Sequence, residues 1–222
     1  MSEHDHEHDH GRDHDHGHAH DEIAATPAGY YEVMEIAVRE LFTEKGLITA
    51  EDIRHQIEVL DSRTPALGAQ VVARAWTDPA FKARLLADGR AACEELGISF
   101  YDDTRLIVLE NTDAVHNLIV CTLCSCYPRP VLGLPPDWYK LKPYRARAVR
   151  EPRKVLEEFG THLPEDIEIR VSDSTAAIRY MVLPRRPDGL DGWSRDQLAA
   201  LVTRDAMIGV IPVAAPIQET LS

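Results

Sequence analysis

The chain has 222 residues, of which 44% are hydrophobic and 27% are charged, a composition typical of a soluble globular protein. Its formal net charge of −13 disfavours nucleic acid as a partner, because phosphate binding needs a concentrated positive face. No apolar run reaches the length that spans a bilayer, and the acidic N-terminus differs from a secretory signal, so we expect a cytoplasmic protein with no membrane contact.

Residues 1–22 form a segment in which histidine alternates with acidic residues. Eight of the eleven histidines lie here, and the segment offers no apolar surface for folding. We therefore predict a disordered tail. It either collects divalent metal ions weakly, since imidazole and carboxylate suit first-row ions, or is only a solvated extension.

Residues 23–98 follow a helical pattern and predict a helical N-terminal arm. Apolar residues recur at helical spacing, and the breaks between them carry residues that begin or end helices. Helices are predicted at residues 31–45, after the N-cap residue Thr49, at residues 68–76, after Asp78-Pro79 and at residues 90–96.

Residues 99–222 mix strands and helices. Short runs rich in β-branched residues predict strands at residues 105–110, 117–121, 167–171 and 177–183. Helices are predicted from Glu151-Pro152 to Phe159 and after the capping box that begins at Ser194. A loop dense in cysteine, proline and glycine follows the second strand, over residues 121–136. The predicted fold class is therefore α+β, a helical arm followed by a mixed α/β domain.

Three of the four cysteines, Cys121, Cys124 and Cys126, lie within six residues of one another. Such clustering indicates metal binding or redox chemistry rather than a disulfide framework. A structural zinc site normally takes its remaining ligands from a distant second pair, and the fourth cysteine, Cys93, is isolated. An ordinary zinc or iron–sulfur site is therefore a poor match.

The spacing of Cys124 and Cys126 allows another arrangement. If both sulfurs bind one ion, the peptide nitrogens of Ser125 and Cys126 lie between them and close unstrained five- and six-membered chelate rings. Cys121 supplies a third sulfur, and a sixth position stays open. Thiolate and amide donors favour a small trivalent ion, cobalt or iron, over zinc. An open position on such an ion polarises a substrate or activates water.

The motif CTLCSC, the YP after it, and the segments VLGLPP, WYK, YRARAVREPRKVL, EIRV, RYMVLP, GWS and LVTRD resemble the alpha subunit of nitrile hydratase. The similarity covers nearly everything after residue 30. It implies a carbon–oxygen hydro-lyase that hydrates nitriles to amides at one non-corrin Co(III) ion per alpha subunit. The implied metal ligands are Cys121, Cys124, Ser125 and Cys126, in a catalytic domain that spans residues 99–222.

The same resemblance implies the state of the site and its partners. Cys124 is expected as sulfinic acid and Cys126 as sulfenic acid, and Cys126, Cys124 and Ser125 are the expected catalytic residues. The nucleophile stays open between water activated at the metal and the Cys126 sulfenate oxygen. Thr122 favours cobalt over iron by family habit. Expected partners are a beta-type subunit, whose arginines stabilise the oxidised sulfurs, a small nitrile and a cobalt-insertion helper protein.

Arg129 departs from the family pattern, because nitrile hydratases usually carry tryptophan at this position. The related thiocyanate hydrolase carries arginine there in its metal-binding subunit. Arg129 is therefore either a contact for an anionic substrate such as thiocyanate or a surface residue without substrate contact. A cobalt thiocyanate hydrolase subunit is the first alternative function. A non-catalytic zinc- or metal-binding interaction module is an alternative of another class.

Other residues have ordinary structural interpretations. We expect Cys93 to be a small buried core residue and His116 to be hydrogen-bonded rather than bound to metal. Trp138 and Tyr139 are expected as packing residues, with lining of the substrate channel as the alternative. The basic run from Arg145 to Arg153 is typical either of a partner interface or of a solvated face.

Overall fold

The computed structural model describes residues 29–100 and 103–214. The described residues fall into two units that divide between residues 52 and 53. The predicted tail, residues 1–22, lies outside the described residues, and the division into tail, arm and catalytic domain stays a prediction. Within the described ranges, no helix is both long enough and apolar enough to cross a membrane.

The first unit contains α1 (Tyr30–Glu44) and the beginning of α2 (Ala50–Asp61). Thr49 caps α2 as predicted, because its hydroxyl accepts a hydrogen bond from the Asp52 N–H at 3.1 Å. No residue of α1 is buried, and apolar side chains such as Tyr31 and Val33 are mostly exposed. An exposed apolar surface of this kind is typical of a protein–protein contact.

The helices of the second unit that follow α2 are α3 (Pro65–Thr77), α4 (Pro79–Ala87), α5 (Gly89–Glu94), α6 (Arg129–Leu132), α7 (Asp137–Lys140), α8 (Lys142–Ala148), α9 (Pro152–Glu158), α10 (Arg195–Leu201) and α11 (Arg204–Ile208). Two predicted caps are confirmed. The Asp78 carboxylate accepts the Phe81 N–H at 2.9 Å, and Ser194 forms the capping box with Gln197. Helices α6, α7, α8 and α11 were not predicted, because they are too short to show a helical period and, unlike α9 and α10, were not recognised from a residue that begins a helix.

Four strands, β1 (Arg105–Glu110), β2 (Val115–Val120), β3 (Glu168–Asp173) and β4 (Ile178–Leu183), confirm the four predicted ones to within two residues. They form two parallel pairs, β1 with β4 and β2 with β3. In the second pair, Val120 lies opposite Asp173 at the carboxyl ends of both strands. Parallel strands need a long crossover connection, and residues 121–167 provide it here. The cysteine loop therefore begins at the edge where β3 ends.

One hydrophobic core joins helices α3, α4 and α5 to the strands. Its fully buried members include Val71, Phe81, Cys93, Leu118 and Met181. Residues before and after position 98 both contribute to this core. Gly68 permits the close approach of α3 to α6, because a Cβ atom at this position would lie 2.7 Å from the Val131 carbonyl oxygen.

Candidate metal centre

The cysteine loop begins where β2 ends, so the strand pairing fixes its first residue. Cys121 is buried directly after Val120, Cys124 is exposed and Cys126 is half-buried. The Cys124 sulfur lies 3.4 Å from the Cys121 sulfur and 3.3 Å from the Cys126 sulfur. All three sulfurs lie within 4.8 Å of one another and are free thiols. The loop thus presents three soft donors to one point, an arrangement that suits a transition metal.

Main-chain N–H groups of the loop act on its sulfur atoms. The Cys124 N–H donates to the Cys121 sulfur at 3.3 Å, and the N–H groups of Cys126 and Ser125 contribute to lowering the pKa of Cys124. In the part of the chain that the structure describes, neither donates to a carbonyl oxygen or a carboxylate. By contrast, the Thr122 N–H donates to Asp173. Within residues 29–100 and 103–214, the nitrogens of Ser125 and Cys126 are therefore not engaged by an oxygen acceptor.

The thiols differ in acidity because their surroundings differ. Hydrogen bonds from the Cys126 and Cys121 thiols, and from nearby main-chain N–H groups, lower the pKa of Cys124 to about 7. Burial, together with the neighbouring Cys124 sulfur, raises the pKa of Cys126 to about 12. The lowered pKa of Cys124 favours its thiolate, which is the form that binds metals and reacts with oxidants.

Asp173 holds the first turn of the loop. It ends β3 opposite Val120, and its carboxylate therefore reaches the residue after Cys121. The carboxylate accepts the Thr122 N–H at 2.9 Å and the Thr122 hydroxyl at 2.5 Å. Asp173 was not among the residues predicted from the sequence. Its position at the end of a strand was a usable signal only in combination with the pairing of β2 and β3.

Arg145 and Tyr139 hold the rest of the loop through its carbonyl groups. The Nη1 atom of Arg145 donates to the Cys124 oxygen at 3.0 Å and to the Thr122 oxygen at 3.4 Å. The Tyr139 hydroxyl donates to the Cys126 oxygen at 3.0 Å. The sequence interpretation of Arg145 as an interface or solvated residue was therefore incomplete. Tyr139 is a buried packing residue, as expected, and also supports the loop.

A cleft of about 340 Å³ opens beside the loop. Its polar and sulfur-bearing lining residues include Cys124, Ser125, Cys126, Arg63, Arg129 and Arg179. No acidic residue is among the described residues that line it. Arg129, at the start of α6, is exposed and borders the same cleft as the cysteines. The cleft is therefore positively charged and of a size for a small ligand.

His116 and Cys93 lie outside the sulfur cluster, which confirms their ordinary interpretations. His116 is buried, with Nε2 2.7 Å from the Gly209 oxygen and Nδ1 3.4 Å from the Asn111 side-chain nitrogen. Burial lowers the pKa of His116, and the contact with the Gly209 oxygen partly opposes this effect. Cys93 is buried in α5, and its burial raises its pKa to about 12. Both residues belong to the interior of the fold.

Comparison with known proteins identifies the family of this chain. Residues 29–211 match the family model described as nitrile hydratase, alpha chain. The chain is 57% identical over 182 residues to nitrile hydratase subunit alpha of a Rhodococcus species, which covers 81% of this chain and 92% of that protein. It is 55% identical over 175 residues to the low-molecular weight cobalt-containing nitrile hydratase subunit alpha of Rhodococcus rhodochrous, with 78% and 84% covered. It is 46% identical over 191 residues to thiocyanate hydrolase subunit gamma of Thiobacillus thioparus, with 81% and 79% covered.

Solved structures agree with these matches. A double mutant of the Fe-type nitrile hydratase from Comamonas testosteroni Ni1 superposes with a TM-score of 0.79 at 49% identity, over 86% of this chain and 94% of that chain. A recombinant thiocyanate hydrolase with partially modified cobalt centres gives a TM-score of 0.78 at 42% identity, over 88% and 99%. These similarities confirm the predicted α+β fold and the resemblance found in the sequence. The chain therefore belongs to the nitrile hydratase alpha-chain family.

Proposed function

We propose that this chain is the metal-binding alpha subunit of a cobalt nitrile hydratase. The enzyme adds water to the carbon–nitrogen triple bond of a small nitrile to form an amide, in a heteromer with a beta-type subunit. The observation that carries the proposal is the convergence of three cysteine sulfurs, two of them on the wall of one cleft. A relative at 55% identity is named as cobalt-containing, which supports cobalt over iron.

The donors present fit a trivalent cobalt ion. Cys121, Cys124 and Cys126 would hold it through sulfur, and Ser125 and Cys126 through their main-chain nitrogens, with one ion per chain. Three sulfurs within 4.8 Å of one another match the first requirement. Two nitrogens without a carbonyl or carboxylate acceptor among the described residues match the second. When bound, the ion supplies the Lewis acidity that makes the nitrile carbon electrophilic.

The residues of this chain bind and orient the reactants. Cys124, Ser125 and Cys126 form one wall of the cleft, so a small substrate in the cleft lies against the loop. The proposal includes oxidation of Cys124 to sulfinic acid and Cys126 to sulfenic acid, which the exposure and the lowered pKa of Cys124 support. An oxygen on Cys126 beside the cleft would either accept a proton from the attacking water or itself attack the nitrile carbon.

A beta-type partner completes the proposal. The relatives are named as subunits, and α1 exposes apolar side chains that a partner would cover. Oxidised cysteines are anionic and need cationic or hydrogen-bonding partners to persist. We assign that role to arginines of the beta-type subunit, insertion of cobalt to a helper protein, and the assembly to the cytoplasm.

Purification of the heteromer from cells supplied with cobalt tests the proposal. We expect about one cobalt ion per alpha chain, two oxygen atoms added to Cys124 and one to Cys126, and amide formation from aliphatic or aromatic nitriles. Cys124→Ser should remove the cobalt and the activity, whereas the matched variant Cys93→Ser should keep the cobalt, because Cys93 lies in the core. A colourless, zinc-filled protein with unmodified thiols would refute the enzyme and favour the non-catalytic metal-binding module.

Arg129 favours a second candidate function, the hydrolysis of thiocyanate. A guanidinium on the cleft wall attracts a small anion, and one relative is a thiocyanate hydrolase subunit. Parallel assays of the same heteromer with thiocyanate and with nitriles separate the two candidates. If Arg129 contacts the substrate, Arg129→Trp should shift the preference towards apolar nitriles. Unchanged rates and an unchanged preference would contradict that contact.

A further inference from the structure

Arg145 differs from the other arginines of its segment in what it binds. It lies on α8, and its Nη1 atom donates to the main-chain oxygens of Cys124 and Thr122 at 3.0 and 3.4 Å. Arg147, two residues later, instead forms ion pairs with the carboxylates of Glu151 and Glu158. Among the described residues, no carboxylate pairs with Arg145. Its positive charge is therefore directed at the cysteine loop.

The Cys124 oxygen is chemically connected to one of the proposed ligands. It belongs to the same peptide group as the Ser125 nitrogen, and resonance within a peptide group shares charge between nitrogen and oxygen. When the Ser125 N–H loses its proton to solvent and the nitrogen binds a metal ion as an amidate, resonance places part of the negative charge on the Cys124 oxygen. A guanidinium that donates a hydrogen bond to this oxygen stabilises the charge more strongly than a neutral donor would.

We propose that Arg145 is a positioning residue of the metal centre, which fixes the Cys124–Ser125 peptide group and stabilises the charge of the Ser125 nitrogen through the Cys124 oxygen. The inference rests on the proposed function, because it presumes that this nitrogen is a ligand. If Arg145 had only a structural role, it would act through its shape and its hydrogen bonds. The electronic properties of the bound ion would then not depend on the positive charge of Arg145.

The experiment compares the cobalt-loaded wild-type heteromer with Arg145→Gln, Arg145→Met and Arg145→Lys. Arg150→Gln is the matched control, since Arg150 borders the same surface depression as Arg145 but donates to the Ala146 oxygen of its own segment. Two properties are measured besides activity. They are the rate at which a chelator removes cobalt and the wavelength of the sulfur-to-cobalt charge-transfer absorption.

We expect Arg145→Gln and Arg145→Met to lose cobalt about 10- to 100-fold faster than the wild type, the usual effect of removing a group that supports a metal ligand. Their charge-transfer absorption should shift. Arg145→Lys should restore most of the retention and the wild-type wavelength, and Arg150→Gln should match the wild type in both.

Other results would contradict the role of Arg145 or the proposed function. An unshifted absorption in both neutral variants, or a lysine variant no better than the glutamine variant, overturns the role assigned to Arg145. If neither neutral variant assembles while the lysine variant assembles without a wild-type absorption, Arg145 is structural and the inference also fails. A wild-type heteromer without cobalt refutes the proposed function itself, and this outcome is visible before any Arg145 variant is measured.

Discussion

Two neighbouring tyrosines test how the aromatic cluster beside the cysteine loop is stabilised. The rings of Tyr127 and Tyr139 are buried and pack edge to face, with centroids 5.0 Å apart. The Tyr139 hydroxyl donates to the Cys126 oxygen, whereas the buried Tyr127 hydroxyl has no hydrogen-bond partner among residues 29–100 and 103–214. Replacement of either tyrosine by phenylalanine removes a buried hydroxyl group. In Tyr139 this group forms a hydrogen bond, whereas in Tyr127 it has no partner among the described residues.

The expected effects have opposite signs. Tyr139→Phe deprives the Cys126 oxygen of its donor, which should lower the free energy of unfolding by about 1–3 kcal/mol. Tyr127→Phe removes a buried hydroxyl without a partner, so it should be neutral or should raise the free energy of unfolding by up to about 3 kcal/mol. In a protein of this size, about 1 kcal/mol changes the melting temperature by about 2–4 °C. The two variants should therefore differ by several degrees.

The melting temperatures of the assembled wild type and variants are measured by calorimetry. The samples have equal cobalt content, so that differences in metal loading do not contribute to differences in melting temperature. Tyr144→Phe serves as a second destabilised variant, because its buried hydroxyl donates to the Ile119 oxygen at 2.6 Å. The melting temperature of Tyr144→Phe should be lowered, as that of Tyr139→Phe is. If Tyr127→Phe lowers the melting temperature as much as Tyr139→Phe does, the Tyr127 hydroxyl has an acceptor and the reasoning is refuted.

Three further predictions concern pH, the backbone and the loop. Burial lowers the pKa of His116 from its usual 6.5, so below that pH the unfolded chain binds a proton at His116 more readily than the folded chain does. The contribution of His116 to stability is therefore complete above about pH 6.5 and falls at lower pH. Urea unfolding at several pH values should give a steeper acid loss for the wild type than for His116→Gln, and equal slopes would contradict this. Gly209 has a φ of 93°, and a Cβ atom there would overlap the Asn117 oxygen, so Gly209→Ala should cost at least about 3 kcal/mol. Gly189→Ala, at a φ of 76° in open space, should cost only about 1–2 kcal/mol, and similar melting temperatures for the two would disprove the steric argument. Asp173→Asn, which removes the charge that holds Thr122, should speed the loss of cobalt to a chelator about tenfold, and an unchanged rate would show that the contact does not support the site.

Local sequence signals were sufficient for the strands and for the capped helices. The run at residues 105–110 forms β1 over those same residues, and Ser194 forms its predicted capping box. Both signals lie within a few neighbouring residues, so no knowledge of tertiary contacts was required. The proximity of the three sulfurs of residues 121–126 was predictable for the same reason, because they lie within six residues, whereas their chelation of a metal ion stays a prediction.

The supports of the cysteine loop were not predictable in this way. Asp173 is 51 residues from Thr122, and Arg145 is 21 residues from Cys124. Their contacts depend on the parallel pairing of β2 with β3 and on the position of α8, neither of which has a local signal. Arg145 and Arg147 are both arginines and lie two residues apart. Only their partners in the folded chain show that Arg145 supports the loop, whereas Arg147 forms an ion pair with Glu158.

The parallel pairing of β2 with β3 also has a consequence for the order of events during synthesis. Asp173 leaves the ribosome 51 residues after Thr122, so the three thiols emerge well before the strand that anchors them. Throughout this interval the nascent chain carries reduced cysteines without their final geometry. The loop that carries the three sulfurs therefore gains its Asp173 anchor only after β3 has been synthesised and has paired with β2.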